Sequence, residues 1–447
     1  MSISDIDTGA HPSERSPDPE ASVQQQFRGE REFAARMDAT DPLRGFRGQF
    51  HIPKTAEGKD TVYFCGNSLG LQPIMTRRFI EEELDDWARL GVRGHAHARH
   101  PWMTYPELLS GQVAEIVGAH PSEVTVMNTL TVNLHLLMVS FYRPTASRHR
   151  IILEQHAFPS DRYAAASQLH AHGYDARTGV IEIPMHDGRN FTTETVIETI
   201  HHHRDDAALL LLGAVNYYNG EYFDIPEITA AARDAGIVVG LDCAHAAGNV
   251  PLQLHDWNVD FAAWCSYKYL NAGPGSTAGC FVHERHDQQQ GLPRFAGWWG
   301  HDKATRFEMP EQFMPMPGAD GWQLSNPAIL PLAALRASLD LFERAGMRAI
   351  RKKSELLTGY LEFLLHTQPS PHWDLITPKI KERRGSQLSL RVPTYGRHFF
   401  DYLSSRDVIC DWREPDVIRI APAPLYNSFD DAWRFADLFN GYFAATV

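Results

Sequence analysis

The sequence has few cysteines, no long apolar run and no surplus of positive charge. Its five cysteines are scattered without any C-x-x-C pair, as is typical of reduced thiols in the cytosol: Cys65, Cys243, Cys265, Cys280 and Cys410. No apolar run reaches about 18 residues, the length of a transmembrane helix, and the first residues contain no apolar signal-peptide core. The formal net charge of −13 argues against nucleic acid as a main partner, because phosphate binding needs clustered Lys and Arg. We therefore expect a cytoplasmic protein without a membrane span.

What the sequence does contain is an ordinary globular composition, with 43% hydrophobic and 22% charged residues over 447 positions. This length suffices for more than one domain and for a large buried core. Residues 1–25 are polar and Pro-rich. They are predicted to form a mobile tail, because they bury too little apolar surface to offset the entropy of ordering.

Short apolar runs alternate with helical patterns between about residues 120 and 285. The runs lie at 124–128, 150–154, 209–215, 237–242 and 261–266. Because they are continuously apolar, they predict a buried, mostly parallel sheet whose functional groups lie at the carboxyl ends of its strands. After about residue 330 the pattern changes to amphipathic helices followed by short strands. We therefore divide the chain into a large domain at 26–330 and a smaller α+β domain at 331–447.

Two residues at strand ends suggest a particular cofactor. Asp242 ends the apolar strand IVVGLD, and Lys268 follows the next strand, within CSYKYLNAGPG. Pyridoxal 5′-phosphate needs an amine that forms a Schiff base with its aldehyde and a carboxylate that keeps its pyridine nitrogen protonated. A lone loop lysine usually has no such role, but the two residues in this order predict a pyridoxal-phosphate site.

The segment MNTLTVN offers a place for the cofactor phosphate. Thr129, Leu130 and Thr131 lie where a strand gives way to a helix, so free backbone N–H groups and a hydroxyl can face an anion. Ordinary capping by threonine explains this segment equally well. The glycines of NAGPGSTAG do not match G-x-G-x-x-G, which argues against a nicotinamide site. The histidines of HAHARH (95–100) and HHH (201–203) lack a completing ligand, so we expect no metal.

Several blocks of the sequence resemble those of the kynureninase family. They extend from about residue 60 to the C-terminus and include FCGNSLGLQP (64–73), NTLTVNLHLLM (128–138), FPSDRYA (158–164), the stretch from DCAH to AGPG (242–275), GWWGH (297–301), SNPAILPL (325–332) and IRIAPAPLYNSF (418–429). The run around Lys268 and the PLYNSF block distinguish this family from other enzymes of the aspartate aminotransferase fold.

The resemblance implies an α/β, fold-type-I pyridoxal-phosphate enzyme with a mostly parallel seven-stranded sheet sandwiched by helices. It implies hydrolytic cleavage of the Cβ–Cγ bond of kynurenine or 3-hydroxykynurenine to an anthranilate and L-alanine, in tryptophan catabolism and NAD biosynthesis. It also implies a homodimer in which the neighbouring subunit completes each site. A cysteine desulfurase, a class V aminotransferase or a non-catalytic relative of the same fold remain the alternatives.

The resemblance also implies roles for individual residues. Lys268 would bond the cofactor aldehyde, Asp242 would face the pyridine nitrogen, and Tyr267 would transfer protons. The remaining cofactor contacts would be Leu130, Thr131, Phe158, Pro159, Ser160, Asp161, His245, Trp298 and Asn326. The substrate would contact Ser68, His95, Asn326 and Arg419. Gly213 departs from the pattern, because some relatives are expected to carry a serine there.

Two of these residues bear on which kynurenine is preferred. Arg419 would hold the α-carboxylate, since a guanidinium offers two parallel donors. His95 and Asn326 would approach the aromatic end of the substrate, where either could hydrogen-bond a phenol. A site discriminates strongly when its own polar groups would otherwise be left unpaired, so we expect a preference for 3-hydroxykynurenine. If His95 only stacks on the ring, both substrates would react alike.

Overall fold

The computed structural model describes residues 27–446 except 288, 290 and 369, and the tail predicted at 1–25 lies outside the described residues. The helices of at least one full turn are α1 (Arg31–Thr40), α2 (Thr76–Leu90), α3 (Gly94–His97), α4 (Tyr105–Val117), α5 (Leu130–Phe141), α6 (Pro159–Ala171), α7 (Ala176–Gly179), α8 (Thr193–His202), α9 (Ile225–Asp234), α10 (Ile329–Ala345), α11 (Met347–Leu365), α12 (Gly396–Ser404) and α13 (Phe429–Thr446). The strands are β1 (Val62–Tyr63), β2 (Val124–Val126), β3 (Arg150–Glu154), β4 (Val180–Ile183), β5 (Ala207–Gly213), β6 (Val238–Asp242), β7 (Phe261–Trp264), β8 (Gly279–Val282), β9 (Asp374–Leu375), β10 (Leu388–Arg391), β11 (Val408–Ile409), β12 (Asp411–Arg413) and β13 (Val417–Ile420).

The larger sheet has seven strands in the order β2-β8-β7-β6-β5-β3-β4. The strands β4, β3, β5, β6 and β7 pair in parallel, whereas β8 runs antiparallel to both β7 and β2. This arrangement confirms the predicted mostly parallel sheet of seven strands. Because the parallel strands run the same way, their carboxyl ends meet at one edge of the sheet.

Helices cover both faces of this sheet. Along β5, Leu210 and Leu212 belong to a core that includes residues of α4, α8, α9 and α10. Leu209 and Leu211 belong to a separate core with residues of α5 and α6. Successive residues of a strand point to opposite faces, so β5 is apolar on both faces. Its residues therefore form one continuous apolar run in the sequence. The predicted sandwich of helices around the sheet is therefore confirmed.

A second sheet of four antiparallel strands lies later in the chain, in the order β12-β13-β10-β9. Its core also takes in Ala34 of α1, Val62 of β1 and Phe64. Consistent with this packing, β1 pairs in parallel with β11. The division into 26–330 and 331–447 stays a prediction, and this core places the first described residues beside the last ones.

None of the helices that the structure describes combines the length and the apolar character needed to cross a lipid bilayer.

Candidate active site

Lys268 lies just past the carboxyl end of β7, with 9% of its surface exposed. Its Nζ atom lies 3.0 Å from Nε2 of His245 and 5.7 Å from the centre of the Phe158 ring. Burial, and then the positive charges of Lys268, Arg419 and Arg413, lower the pKa of His245 well below its ordinary value. The imidazole is therefore neutral, and its Nε2 accepts a hydrogen bond from Nζ of Lys268.

A cavity of about 140 Å³ opens around this lysine. Nine of the predicted site residues line it: Leu130, Thr131, Phe158, Ser160, Asp161, Asp242, His245, Tyr267 and Lys268. The other lining residues are Thr129, Glu154, Gly213, Val215, Tyr217 and Ala244. The sheet edge thus brings together groups that are distant in sequence, because β3, β5, β6 and β7 are neighbours that end on the same side.

Asp242 ends β6 and is 6% exposed. Its carboxylate accepts a hydrogen bond of 2.7 Å from the N–H of Ala244. Burial raises the pKa of Asp242, and the nearby charge of Lys268 opposes this. Burial, followed by the negative charges of Asp242 and Glu154, raises the pKa of Asp161 well above its usual range. Asp161 and Asp242 contact each other, so the pair can keep one proton between them while Asp242 stays the more acidic partner.

Glu154 is a third buried carboxyl group in the cavity, and the sequence did not single it out. It ends β3, is 3% exposed, and its Oε2 accepts the N–H of Gly213 at 3.3 Å. Burial raises the pKa of Glu154 to about 7. The departure noted at residue 213 has a physical context here, because a Cβ atom on Gly213 would lie 2.9 Å from Oε1 of Glu154.

Two helices begin at the cavity. Thr129 caps α5, whose first residues Leu130 and Thr131 line the cavity, and Ser160 lies in the first turn of α6. Pro159, the first residue of α6, lies between two lining residues. The first N–H groups of a helix have no partner within it and carry partial positive charge. Two such ends at one cavity make a binding place for an anionic group.

Arg419 lies on β13, next to the cavity wall, with 1% of its surface exposed. One of its terminal nitrogens donates a hydrogen bond of 2.6 Å to the carbonyl oxygen of Tyr217, a lining residue. Ser68 is half-buried in a turn whose Gly70 N–H donates to the carbonyl of Tyr267 at 2.8 Å. Both predicted substrate residues therefore border the segments that form the cavity.

Comparison with known proteins identifies the family. A family model of the kynureninase C-terminal domain matches residues 350–439. A kynureninase from Myxococcus xanthus is 56% identical over 417 residues, which cover 93% of this chain and 98% of that relative. The chain belongs to the kynureninase family. A kynureninase from Koribacter versatilis is 55% identical over 408 residues, which cover 91% of this chain and 96% of that relative.

Solved structures resemble this member of the kynureninase family in fold. A cysteine desulfurase from Thermococcus onnurineus NA1 superimposes with a TM-score of 0.72 at 16% identity, covering 86% of this chain and 95% of that one. A cysteine desulfurase from Escherichia coli gives 0.73 at 15% identity, covering 90% of this chain and 98% of that one. At these identities the likeness concerns the fold alone.

Besides Pro159, Ser68 and Arg419, three further residues expected from the kynureninase resemblance do not line the cavity of their own chain. Trp298 is 42% exposed, and its ring centre lies 5.2 Å from that of Trp299. Asn326 is exposed, and the ring of His95 lies 5.5 Å from that of Trp102. The loops of Trp298 and Asn326 are joined, since Trp299 N–H donates to the carbonyl of Leu324 at 3.3 Å. The roles of these three residues stay predictions.

One group of possible metal ligands occurs in the part of the chain that the structure describes. Ligand atoms of His120, Glu123 and His255 lie within 4.8 Å of one another. None of them belongs to the two histidine motifs noted in the sequence. Glu123 accepts backbone N–H groups from His120 and Glu284 and contacts Nδ1 of His255 at 2.9 Å. These hydrogen bonds account for the group as a structural link, and the expectation of no metal stays a prediction.

Proposed function

We propose that this chain hydrolyses the Cβ–Cγ bond of 3-hydroxykynurenine or kynurenine, with pyridoxal 5′-phosphate as its cofactor, to an anthranilate and L-alanine. The observation that carries the proposal is the pairing of Lys268 and Asp242 in one buried cavity at neighbouring strand ends. The proposal is also supported by a sequence identity of 56%, over 93% of the chain, with a protein named kynureninase. This activity belongs to tryptophan catabolism and NAD biosynthesis, and we place it in the cytoplasm.

The residues of the cavity fit this cofactor. The N-terminal ends of α5 and α6, with Leu130, Thr131 and Ser160, suit its phosphate. Buried polar atoms without a protein partner, Oδ1 of Asp161 and Nδ1 of His245, suit a polar heterocycle. The other contacts we propose are Phe158, Pro159, Asp242, Tyr267, Lys268, Trp298 and Asn326. When bound, pyridoxal phosphate supplies an aldehyde that captures the substrate amine and a ring that withdraws electrons from its α-carbon.

Lys268 and His245 serve the proton transfer at the substrate α-carbon. In our proposal, Nζ of Lys268 accepts the α-proton as a general base, which requires the neutral amine. The neutral ring of His245, 3.0 Å away, holds Nζ in place without adding positive charge. Asp242 keeps a negative charge beneath the site, because Asp161 takes up the proton that the two carboxyls share.

Tyr267 is the proposed proton donor where water adds to the γ-carbonyl of the substrate. Burial raises the pKa of Tyr267, so its hydroxyl stays protonated at neutral pH. A protonated phenol can donate a hydrogen bond to the γ-oxygen of the substrate, on which negative charge develops. It can also pass its proton to Cβ of the substrate when the Cβ–Cγ bond breaks. In our proposal, Arg419 binds the α-carboxylate and Ser68 contacts the substrate. His95 and Asn326 approach its aromatic ring.

We propose that the active form is a homodimer. Trp298 and Asn326 are not among the residues that line the cavity of their own chain, so we infer that their loops, at 297–301 and 325–327, complete the site of a second subunit. Sedimentation of the holo-protein at assay concentration tests this, and an active monomer would exclude it.

One assay tests the proposed activity against its alternatives. Purified holo-protein is offered both kynurenines, with the fluorescence of the anthranilate product followed over time. L-Cysteine is offered separately, with sulfide measured, because a desulfurase would release it. A desulfurase would also need a cysteine on a mobile loop, whereas Cys280 is fully buried in β8. Sulfide without anthranilate would overturn the proposal, and a bound cofactor without either product would favour a non-catalytic relative.

A further inference from the structure

The strands β12 and β13 place a second arginine beside Arg419. Asp411 pairs directly with Arg419 across these antiparallel strands. Arg413 lies two residues after Asp411 on β12, so its side chain is on the same face of the sheet. Oδ2 of Asp411 accepts from a terminal nitrogen of Arg419 and lies 3.1 Å from a terminal nitrogen of Arg413. One carboxylate thus contacts two guanidinium groups.

The charges of these three side chains do not cancel. Two arginines and one aspartate leave a net charge of +1, whereas Arg419 and Asp411 alone would be neutral. The Asp411 side chain is 11% exposed and that of Arg419 is 1% exposed, so solvent screens them little. The side chain of Arg413 is 36% exposed, and its charge makes the set of three match a ligand with one negative charge, such as a carboxylate.

Both arginine charges reach the cavity. After burial and Lys268, Arg419 and Arg413 are the groups that lower the pKa of His245. Arg419 also has one hydrogen-bond donor that no protein group accepts, because its Nε is buried without a protein partner. Its two terminal nitrogens are held by Asp411 and by the carbonyl of Tyr217. The guanidinium is therefore fixed in orientation while one edge stays available.

We propose that Arg413 is a positioning residue, which neutralises Asp411 and so leaves the charge and the free edge of Arg419 to the substrate α-carboxylate. This inference rests on the proposed role of Arg419. It extends that role from one residue to a charge-balanced set of three. Asp411 fixes the orientation of Arg419, and Arg413 offsets the negative charge that this fixation introduces.

The test compares charge-changing variants in the holoenzyme. Arg413→Gln should raise KM for kynurenine roughly tenfold, with kcat changed less than about twofold and cofactor absorbance unchanged, because the carboxylate is bound equally in the ground state and the transition state. Arg413→Lys keeps the charge and should stay near wild type. Arg397→Gln is the matched control, since the side chain of Arg397 is 65% exposed on α12.

The double variant Asp411→Asn with Arg413→Gln provides the decisive comparison. It restores the net charge of +1, so KM should return to within about threefold of wild type. A purely structural role for the set predicts the opposite, since a second loss would add to the first. A double variant as weak as Arg413→Gln, or weaker, overturns the inference. Where the single variant folds poorly, a double variant whose KM lies about tenfold or more above that of wild type overturns it.

A second readout separates this inference from the proposed activity. L-Alanine carries an α-carboxylate and L-alaninamide does not, and binding of each is followed by the absorbance of the bound cofactor. Arg413→Gln should weaken L-alanine roughly tenfold and leave L-alaninamide unchanged. Equal effects on both compounds overturn the inference. A wild type that binds L-alanine in this way but cleaves neither kynurenine overturns the proposed function and leaves Arg413 supported.

Discussion

The carboxyl group of Glu154 occupies the space that a side chain at residue 213 would need. A Cβ atom on Gly213 would lie 2.9 Å from Oε1 of Glu154, closer than ordinary contact allows. The backbone N–H of Gly213 also donates to Oε2 of the same carboxyl group. Glu154 ends β3 and Gly213 ends the neighbouring strand β5, so the size of the side chain at either position limits the size allowed at the other.

Gly213→Ser should lower the free energy of unfolding by about 1–3 kcal/mol, because it overpacks a buried site. Urea unfolding of the purified variants measures this loss. Gly45→Ser is the control, since a Cβ atom there would meet nothing within 4 Å. Adding Glu154→Ala to Gly213→Ser vacates the contested space, so the two losses should sum to more than the loss of the double variant. Strictly additive losses would show that the residues do not compete.

Glu154 should make stability depend on pH in cofactor-free protein. Burial raises the pKa of Glu154 from 4.5 to about 7, so its ionisation is costlier in the folded chain. Its contribution is fully present below the unfolded pKa and is lost as pH rises through about 7. A pKa raised from 4.5 to about 7 corresponds to about 3 kcal/mol of unfolding free energy. The free energy of unfolding of Glu154→Gln, relative to that of wild type, should therefore rise by roughly that much between about pH 5 and pH 8. Urea unfolding measures it. A difference independent of pH would contradict this.

Lys268→Ala should fold and yet lose both turnover and the visible absorbance of the bound cofactor. The side chain is buried at the end of a strand, where its removal costs little packing, while no other amine in the cavity can replace it. Absorbance and anthranilate fluorescence are measured together, with the exposed Lys59→Ala as control. Full activity in Lys268→Ala would show that Lys268 is not the residue that bonds the cofactor aldehyde.

The positions of Lys268 and Asp242 could be predicted from the sequence because local patterns determine them. Each follows a continuously apolar run, and such runs form neighbouring parallel strands. One of the amphipathic helices predicted after about residue 330 is observed at Met347–Leu365 for the same reason, since its periodicity is local.

Glu154 and Tyr217 could not be predicted, because their place depends on strand order. β3 lies beside β5, although more than fifty residues separate them in the chain. The only local signal for Glu154 was a charged residue at the end of an apolar strand. β12 was missed because its three residues are all half-buried and form no apolar run. It pairs with β13 across a turn of only three residues, and this hairpin creates the arrangement around Arg419.

Arg419→Lys should weaken substrate binding by roughly 1.5–3 kcal/mol, because an ammonium keeps the charge but lacks two parallel donors. KM and the affinity for L-alanine are measured, with the absorbance of the bound cofactor as the internal reference. We expect the cofactor affinity to stay unchanged. An equal loss of cofactor affinity would assign Arg419 to the phosphate.

The wild type should prefer 3-hydroxykynurenine over kynurenine, because His95 and Asn326 can both hydrogen-bond the additional phenol. The ratio of kcat/KM for the two substrates measures this preference. His95→Trp combined with Asn326→Thr removes the polar pair and should shift the ratio toward kynurenine. An unchanged ratio, or a wild type that prefers kynurenine, would show that His95 only stacks on the ring.

The pairing of β1 with β11, and of α1 with α13, has a consequence for synthesis. Residues 31–64 leave the ribosome long before residues 408–446 exist, yet both sets complete the same core. Hydrogen bonds such as that from Trp433 to the carbonyl of Gly29 close a loop of 404 residues. Contacts so distant in sequence form late in folding. Phe33 of α1, which packs against Tyr360, therefore reaches this partner only after more than three hundred further residues have been synthesised.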